Sequence, residues 1–390
     1  MVKDIKISER MSSLPKNNFS IMAQLKKKLL LEGWNFIDLS AGITDLKPAQ
    51  HILEKLAAYS LNPELHTYSV KFDIVELYES VRYFFQCEFN VDIKTLGYLT
   101  TLGSKEAISH IHSALINEND IVLVPELHYP FYSLSAQYYN AEVYAYDLDE
   151  QYHPVLHTIP KHILDRAKVL WINYPHNPTG AIINDEAIRS VVDFCKQYNI
   201  FLCADMAYSH IDFVFEKSAS ILNYYHQYSN MIEMHTLSKN FSLPGWRLAF
   251  VLGNPEIIRV VAESKLLFDT GAFMVTQKAA AYAIQNYKNI IPKVRGEYEY
   301  RSRYMYKKLS ELGYNVSEPK GTYFLWIKVP DGHTGRSYAQ YLLETKKILV
   351  LDGAMFGPKG KSFVRLALTE PVSVLEEVIH KMGTSTTSHR

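Results

Sequence analysis

The chain has 390 residues, and its 41 Lys and Arg residues balance 41 Asp and Glu residues, so the formal net charge is zero. This balance argues against a general nucleic-acid binder, which needs a clustered basic surface, although it leaves room for a local anion site. No apolar run approaches the ~18 residues that span a bilayer, the polar start is unlike a signal peptide, and the three cysteines lack the spacing of a disulfide framework or a zinc site. We therefore expect a reduced, cytoplasmic protein without a metal ion and without a membrane or nucleic-acid partner.

The first predicted elements are a basic, leucine-rich helix at residues 25–31 and a short strand at residues 36–39. The strand runs into Ala41-Gly42-Ile43, where the glycine lets the backbone turn and approach another group closely.

From about residue 100, apolar runs of strand length alternate with amphipathic helical stretches. The predicted strands are residues 121–124, 169–172, 200–204, 231–235 and 248–252. A predicted helix at residues 105–115 precedes the first of them, and another at residues 186–198 separates the second from the third. Continuous apolar runs are typical of strands buried on both faces, and the alternation predicts an α/β fold with a mostly parallel sheet flanked by helices.

Near residue 290 the pattern changes to a long charged helix at residues 298–312, followed by strands at residues 321–329 and 362–367. This is typical of an α+β domain. We predict three parts: residues 1–47 contribute to a small domain, residues 48–289 form the large domain, and residues 290–390 complete the small domain.

Polar residues able to bind a ligand or to catalyse follow the predicted strands, at the end of the sheet where ligands bind in open α/β folds. Asn177 lies in an Asn-Pro-Thr-Gly segment after one strand, and Asp205 ends the next, although either pattern also fits an ordinary turn or helix cap. A carboxylate at the end of a buried strand is costly unless it faces a cation or a protonated ring nitrogen.

Lys239 and Arg247 follow another strand, with the hydroxyls of Thr236 and Ser238 just before the lysine. A lysine held in a cleft beside another cation has a lowered pKa and is nucleophilic. Gly103, Ser104 and Lys105 begin a predicted helix, whose free N–H groups and positive dipole end suit a phosphate.

Taken in order, these motifs resemble the class I/II aminotransferases, the fold-type-I enzymes that use pyridoxal 5'-phosphate (PLP). The branch that looks closest contains the diaminopimelate and broad-specificity amino-acid aminotransferases. The resemblance covers residues 17–380 and implies a mostly parallel seven-stranded sheet in the large domain. It also implies a homodimer with shared active sites.

The resemblance implies a role for each matching residue. Lys239 in SKNFSLPGWR matches the lysine that binds PLP as an aldimine, and Asp205 matches the aspartate that faces the pyridine nitrogen. The other implied cofactor contacts are Gly103, Ser104, Lys105, Thr236 or Ser238, and Arg247 for the phosphate, Tyr129 for ring stacking, Asn177 and Tyr208 for the ring oxygen, and Tyr68 for the phosphate of the neighbouring subunit. The implied substrate contacts are Arg365 for the carboxylate, with Gly42, Ile43 and Asn177 beside it. Lys239, Asp205 and Tyr208 form the implied catalytic set.

Several positions depart from the family pattern: Asp73 and Tyr78 stand after Tyr68 where a glycine and an arginine are usual, His176 replaces an asparagine, and Asp352 replaces a proline. These departures leave substrate specificity open. No second arginine stands out for a side-chain carboxylate, and the basic candidates are Lys71 and Lys105.

The implied activity is exchange of an amino group between an L-amino acid donor and a 2-oxo acid acceptor. Another PLP reaction on the same scaffold, such as β-elimination from a sulfur amino acid or cyclisation, stays open as an alternative. A cofactor-sensing regulator is disfavoured because the residues before Ile37 are too few for a winged helix and a linker.

Overall fold

The structure is a computed structural model that describes residues 6–15, 18–69, 73–215 and 218–384. Its helices are α1 Glu9–Ser13, α2 Asn18–Leu31, α3 Gln50–Ser60, α4 Val75–Phe89, α5 Ser104–Leu115, α6 Phe131–Tyr138, α7 Lys161–Leu164, α8 Asp185–Tyr198, α9 Pro255–Leu266, α10 Met274–Gln285, α11 Tyr287–Glu311, α12 Gly335–Tyr341 and α13 Val372–Gly383. Its strands are β1 Ile37–Asp38, β2 Gly97–Thr101, β3 Ile121–Pro125, β4 Glu142–Leu148, β5 Pro154–Val155, β6 Ala167–Asn173, β7 Phe201–Asp205, β8 Met231–Thr236, β9 Ala249–Gly253, β10 Asn315–Val316, β11 Phe324–Lys328, β12 Ile348–Leu349, β13 Leu351–Asp352 and β14 Phe363–Ala367.

The largest sheet has the strand order β2-β9-β8-β7-β6-β3-β4-β5. The pairs from β8 through β7, β6 and β3 to β4 are parallel, whereas β9 is antiparallel to both of its neighbours and β5 is antiparallel to β4. The predicted α/β class with a mostly parallel sheet is confirmed. The predicted count of seven strands is one short, because the two-residue strand β5 adds to the edge beside β4.

Helices cover both faces of this sheet, which explains the continuous apolar runs. Along β3 and β6, Leu123 and Leu170 belong to one buried cluster, while Val122 and Trp171 belong to the cluster on the opposite face. Successive side chains of a strand point to opposite faces, so the central residues of β3 and β6, which are covered on both sides, are apolar at consecutive positions. The carboxyl ends of the parallel strands are consequently the polar part of the sheet.

A second sheet, β10-β11-β14-β13, is antiparallel, and β1 pairs with β12 in a separate parallel ladder. Leu39, just after β1, joins a cluster with residues of α11, β11, β14 and α13. The early chain therefore packs with the C-terminal part. This packing supports the predicted division at residues 47 and 289, which stays a proposal.

Two predicted elements differ in their limits. The strand predicted at residues 321–329 begins at Phe324, because Thr322 has a φ of 64° and its N–H donates to Ile211 O at 2.7 Å, which ties this segment to the loop after β7. The helix predicted at residues 298–312 begins at Tyr287, and Pro292 lies within its second turn.

Candidate active site

Strand β7 ends on a buried carboxylate. Asp205 is 4% exposed, its Oδ2 accepts a hydrogen bond from the Tyr132 hydroxyl at 2.7 Å, and its Oδ1 accepts one from Ala207 N–H at 3.1 Å. Burial raises the pKa of Asp205 to about 6, and both hydrogen bonds oppose that rise. A carboxylate removed from water in this way is stabilised by a facing cation, so the end of β7 suits a positively charged partner.

Lys239 lies in the loop after β8 and reaches back toward the start of the chain. Its Nζ donates to Gly42 O at 2.8 Å and lies over the rings of Tyr208 and Tyr323, at 5.5 and 5.6 Å from their centroids. Burial, assisted by the nearby Arg365 and opposed by Asp205, lowers the pKa of Lys239 to about 8. An amine with this pKa is partly unprotonated near neutral pH and acts as a nucleophile.

The start of α5 forms an anion-binding turn. Gly103 precedes the helix with a φ of 94°, and a Cβ at this position would overlap the guanidinium of Arg247. The Ser104 hydroxyl is buried, and no residue in the described part of the chain hydrogen-bonds it. Lys105 Nζ lies 4.6 Å from the centroid of the Phe131 ring. An unpartnered hydroxyl at a helix N-terminus suits a phosphate oxygen.

Arg247 and two buried hydroxyls lie opposite this turn. Arg247 Nη2 donates to Leu102 O at 3.3 Å, and its Nη1 donates to Pro244 O at 3.1 Å. Thr236 Oγ1 donates to Ser238 Oγ at 3.0 Å. A guanidinium, two hydroxyls and a helix N-terminus therefore lie together. The guanidinium can bind a phosphate through two hydrogen bonds, and the helix N-terminus offers further N–H donors.

Arg365 extends from β14 and is 2% exposed. Its Nη1 donates to Asn177 Oδ1 at 2.8 Å and its Nη2 donates to Ser40 O at 3.1 Å, while its guanidinium carbon lies 3.9 Å from the Phe324 ring centroid. Burial lowers the pKa of Arg365 to about 10, so the guanidinium stays charged at neutral pH. No carboxylate of the described residues pairs with this buried guanidinium, which is therefore suited to receive one from a ligand.

These side chains line two adjoining clefts. The inner cleft, of about 630 Å³, contains Lys239, Asp205, Arg247 and the start of α5. The outer cleft, of about 730 Å³, contains Arg365 and a wall formed by α2. Both are lined by Gly42, Ile43, Tyr129, Asn177, Tyr208 and Lys239.

Comparison with known proteins then decides the family. The family model for class I and II aminotransferases matches residues 35–382. The LL-diaminopimelate aminotransferase of Aquifex aeolicus is 32% identical over 96% of this chain and 98% of its own length. Among solved structures, apo BacF from Bacillus subtilis superposes with a TM-score of 0.92 at 31% identity, covering 97% of this chain and 98% of that one. A probable N-succinyldiaminopimelate aminotransferase from Thermus thermophilus gives a TM-score of 0.88 at 27% identity, over 94% of this chain and 99% of that one.

The chain belongs to the class I and II aminotransferase family. It is an enzyme of the amino-group-transferring class with the fold-type-I architecture, as its sequence resemblance implied. The alternative of elimination or cyclisation is not favoured, because the named relatives are aminotransferases. No helix among the described residues of the aminotransferase is long and apolar enough to cross a membrane.

The aminotransferase fold brings together all but one of the predicted site residues. The predicted site residues that line the two clefts are Gly42, Ile43, Ser104, Lys105, Tyr129, Asn177, Asp205, Tyr208, Thr236, Ser238, Lys239, Arg247 and Arg365. Gly103 lies beside them against Arg247. Tyr68 is 81% exposed and lines neither cleft, so within one chain it is separate from the site.

Three of the departures from the family pattern are accommodated by hydrogen bonds. Asp73 Oδ1 accepts from Thr100 N–H at 2.7 Å, and burial raises the pKa of Asp73 to about 6. His176 bridges Thr179 Oγ1 at 2.7 Å and Leu127 O at 2.9 Å, and its buried ring has a pKa lowered to about 4. Asp352 caps the turn that follows by accepting from Ala354 N–H at 3.0 Å.

Sequence reasoning missed residues that support the predicted ones. Tyr132 holds Asp205, and Asn173 accepts from Asn177 N–H at 3.0 Å and donates to Asp205 O at 2.7 Å. Tyr132 is three residues beyond Tyr129, in the first turn of α6, and this proximity is a usable but weak signal. The α2 residues that line the outer cleft carry no sequence signal, since only the packing of the early chain puts them there.

One cluster outside the clefts has metal-ligating residue types. Glu106, His110 and Asp269 have ligand atoms within 4.8 Å of one another. The buried ammonium of Lys265 already lies among them, at 2.6 Å from Glu106 Oε1 and 2.6 Å from Asp269 Oδ1. Glu106 also accepts the N–H of Leu102, the residue before the anion-binding turn. The cluster is therefore an ion-paired support for that turn.

Proposed function

We propose that the aminotransferase holds PLP in the inner cleft and exchanges an amino group between an L-amino acid and a 2-oxo acid. The observation that carries the proposal is that a nucleophilic lysine, a buried carboxylate and an unpartnered helix-terminal hydroxyl line one cleft, through Lys239, Asp205 and Ser104.

The residues present fit the cofactor group by group. The Ser104 hydroxyl lacks a partner among the described residues, and the raised pKa of Asp205 marks a carboxylate that needs a cation. Gly103, Lys105, Thr236, Ser238 and Arg247 would complete the phosphate site, and Tyr129, Asn177 and Tyr208 line the cleft where they would contact the ring. When bound, PLP supplies an electron sink that makes the Cα proton of an attached amino acid acidic.

The side chains then divide the chemistry among them. Lys239 would hold the cofactor through its Nζ, and the freed Nζ would carry the Cα proton of the substrate, as general base and then general acid. Asp205, as a carboxylate, would pair with a protonated ring nitrogen of the cofactor. Arg365 would pair with the substrate carboxylate and so fix the orientation of the substrate beside Lys239.

The test is a screen of amino donors and 2-oxo acid acceptors on purified protein loaded with PLP. LL-diaminopimelate is included because relatives carry that name. A 2-oxo acid that accumulates beyond one molecule per active site only when an acceptor is present supports the proposal. Pyruvate and ammonia released without an acceptor would instead indicate elimination.

We also propose a homodimer in which Tyr68 reaches the phosphate site of the partner subunit. The support is that Tyr68, Leu267 and Phe268 are 81%, 79% and 74% exposed in one chain, an unusual fate for large apolar side chains. The cytoplasmic location remains a proposal that rests on composition and cysteine spacing.

A further inference from the structure

The outer cleft has a wall that the chemistry described so far does not use. Helix α2 contributes Phe19, Met22, Ala23, Lys26, Lys27, Leu30 and Leu31 to its lining. The same cleft contains Arg365 and Lys239, so a substrate whose carboxylate is held at Arg365 extends its side chain toward this wall.

All charged side chains that line this cleft are positive. Its charged lining residues are Lys26, Lys27, Lys239 and Arg365, and among the described residues no carboxylate lines it. Lys239 and Arg365 already serve the reacting end of the substrate. Lys26 and Lys27 are left as two cations for which amino-group transfer itself has no need.

Lys26 is held in place by a hydrogen-bonded chain that ends at Arg365. Its Nζ forms an ion pair with Asp38 Oδ2. The other oxygen of Asp38 accepts from Ser40 Oγ at 2.6 Å and from Ser40 N–H at 3.0 Å, and Ser40 O accepts from Arg365 Nη2 at 3.1 Å. The ammonium of a lysine has three donors, so the pair with Asp38 leaves Lys26 able to bind a second anion.

Lys27 is exposed, and within the described ranges of the chain it has no ion-pair partner. The remaining wall of the cleft is mainly apolar and includes Met22, Leu351 and Phe324. A cleft with a guanidinium in its interior, apolar sides and ammonium groups in its outer wall is complementary to an aliphatic chain with a carboxylate at each end.

We propose that Lys26, assisted by Lys27, determines specificity by binding a second, distal carboxylate on the side chain of the substrate. The inference rests on the proposed function, since it assumes that Arg365 holds the first carboxylate. The side chain of Lys26 is 29% exposed, so its contribution is at the lower end for a charged hydrogen bond, about 10-fold in kcat/KM.

The test compares two donors of matched length on the PLP-loaded enzyme. L-2-aminoadipate and L-norleucine have side chains of equal length that end in a carboxylate and a methyl group. We expect the wild type to prefer 2-aminoadipate, and Lys26→Met to reduce the ratio of the two kcat/KM values about 10-fold, mainly through KM. Lys26→Arg should retain most of the preference, because the positive charge is kept.

Lys28→Met is the matched control. Lys28 is on the same helix, pairs with Glu32 at 3.7 Å and does not line the cleft, so this variant should keep the wild-type ratio. Calorimetry with adipate and hexanoate adds a readout without turnover: adipate should bind the wild type about 10-fold more tightly, and Lys26→Met should remove that difference.

The outcomes separate the two proposals. If the wild type transaminates both donors equally, or if Lys26→Met keeps the wild-type ratio, the specificity inference is overturned and the proposed function stands. If no donor in the wider screen is transaminated, the proposed function itself fails.

Discussion

Lys239 and Asp205 carry opposite charges in a cleft that the fold largely removes from water. Burial lowers the pKa of Lys239 to about 8 and raises that of Asp205 to about 6. Both shifts favour the neutral forms, and at pH 7 both side chains of the unloaded protein still carry most of their charge. At the residue scale, burial of these two groups lowers the stability of the unloaded protein and makes them more reactive. Groups with strongly shifted pKa values commonly cluster in this way at functional clefts.

Asp205 should make the stability of the unloaded protein depend on pH. Its pKa rises from 3.8 in the unfolded chain to about 6 in the fold, so the folded state binds the extra proton between these values. The stability it contributes is present below pH 4 and is lost as the pH rises through 6, by about 3 kcal/mol at most.

Asp205→Asn removes this titration. The free energy of unfolding of Asp205→Asn relative to the wild type should therefore increase between pH 4 and pH 6 and then level off. Denaturant titrations of the unloaded proteins at several pH values measure the difference. A difference that stays constant across this range would contradict the assigned burial of the carboxylate.

Tyr132→Phe tests the hydrogen bond that holds Asp205. Removing the hydroxyl should raise the pKa of Asp205 further, since this bond opposes the effect of burial. We expect a loss of about 10-fold in kcat/KM and an upward shift of the acid limb of the pH profile. Unchanged kinetics across the pH range would exclude Tyr132 as a positioning residue.

At the scale of elements, the start of α5 depends on a charge cluster that α9 supports. Lys265, near the end of α9, is fully buried between Glu106 of α5 and Asp269, and Glu106 accepts the N–H of Leu102. The helix N-terminus that faces the proposed phosphate is thus fixed by ion pairs on its far side.

Lys265→Ala should destabilise the protein by about 3 kcal/mol, because it leaves two carboxylates without their buried cation. Lys278→Ala is the control: Lys278 pairs with the half-exposed Glu76 on the surface, so its loss should cost less than about 1 kcal/mol. Chemical denaturation of both variants measures the two values. Equal losses in the free energy of unfolding would show that the buried ion pairs of Lys265 stabilise the protein no more than a surface ion pair does.

The same scale shows what sequence could predict. The end of β7 was identifiable because this buried strand is an apolar run that Asp205 ends. Strand β8 contains Glu233 and His235, so Lys239 was identifiable from the polar motif after the strand. By contrast, β2 has only a mixed Gly-Tyr-Leu-Thr-Thr sequence, and its antiparallel pairing with β9 is a long-range contact. Lys26 was missed because the position of α2 over the cleft depends on tertiary packing, which local periodicity does not encode.

At the scale of the whole molecule, the zero net charge conceals a strong separation of charge. Four cations line the outer cleft, whereas the carboxylates of Asp38 and Asp205 lie behind or beside it. The molecule is neutral overall, and its anion sites are local. This arrangement fits substrates that carry more than one negative charge.

The proposed dimer gives a prediction at the same scale. Leu267→Asp places a charge in an exposed apolar segment with Leu266 and Phe268, so it should shift the protein from dimer to monomer and weaken PLP binding through loss of the partner's contact. Light scattering coupled to size-exclusion chromatography measures the mass. A wild type that is monomeric at micromolar concentration, with full activity, would contradict the proposal.

The central claim is that Lys239 and the cofactor transfer an amino group rather than eliminate one. The most direct measurement is a half reaction, in which PLP-loaded protein is mixed with an amino donor in the absence of any acceptor. We predict that each active site releases one 2-oxo acid and no ammonia, and that the visible absorbance of the lysine-bound cofactor is lost. Turnover should continue only when a 2-oxo acid is added. Lys239→Ala should release neither a 2-oxo acid nor ammonia. Continuous release of ammonia without an acceptor, or an unaltered reaction in Lys239→Ala, would contradict the account.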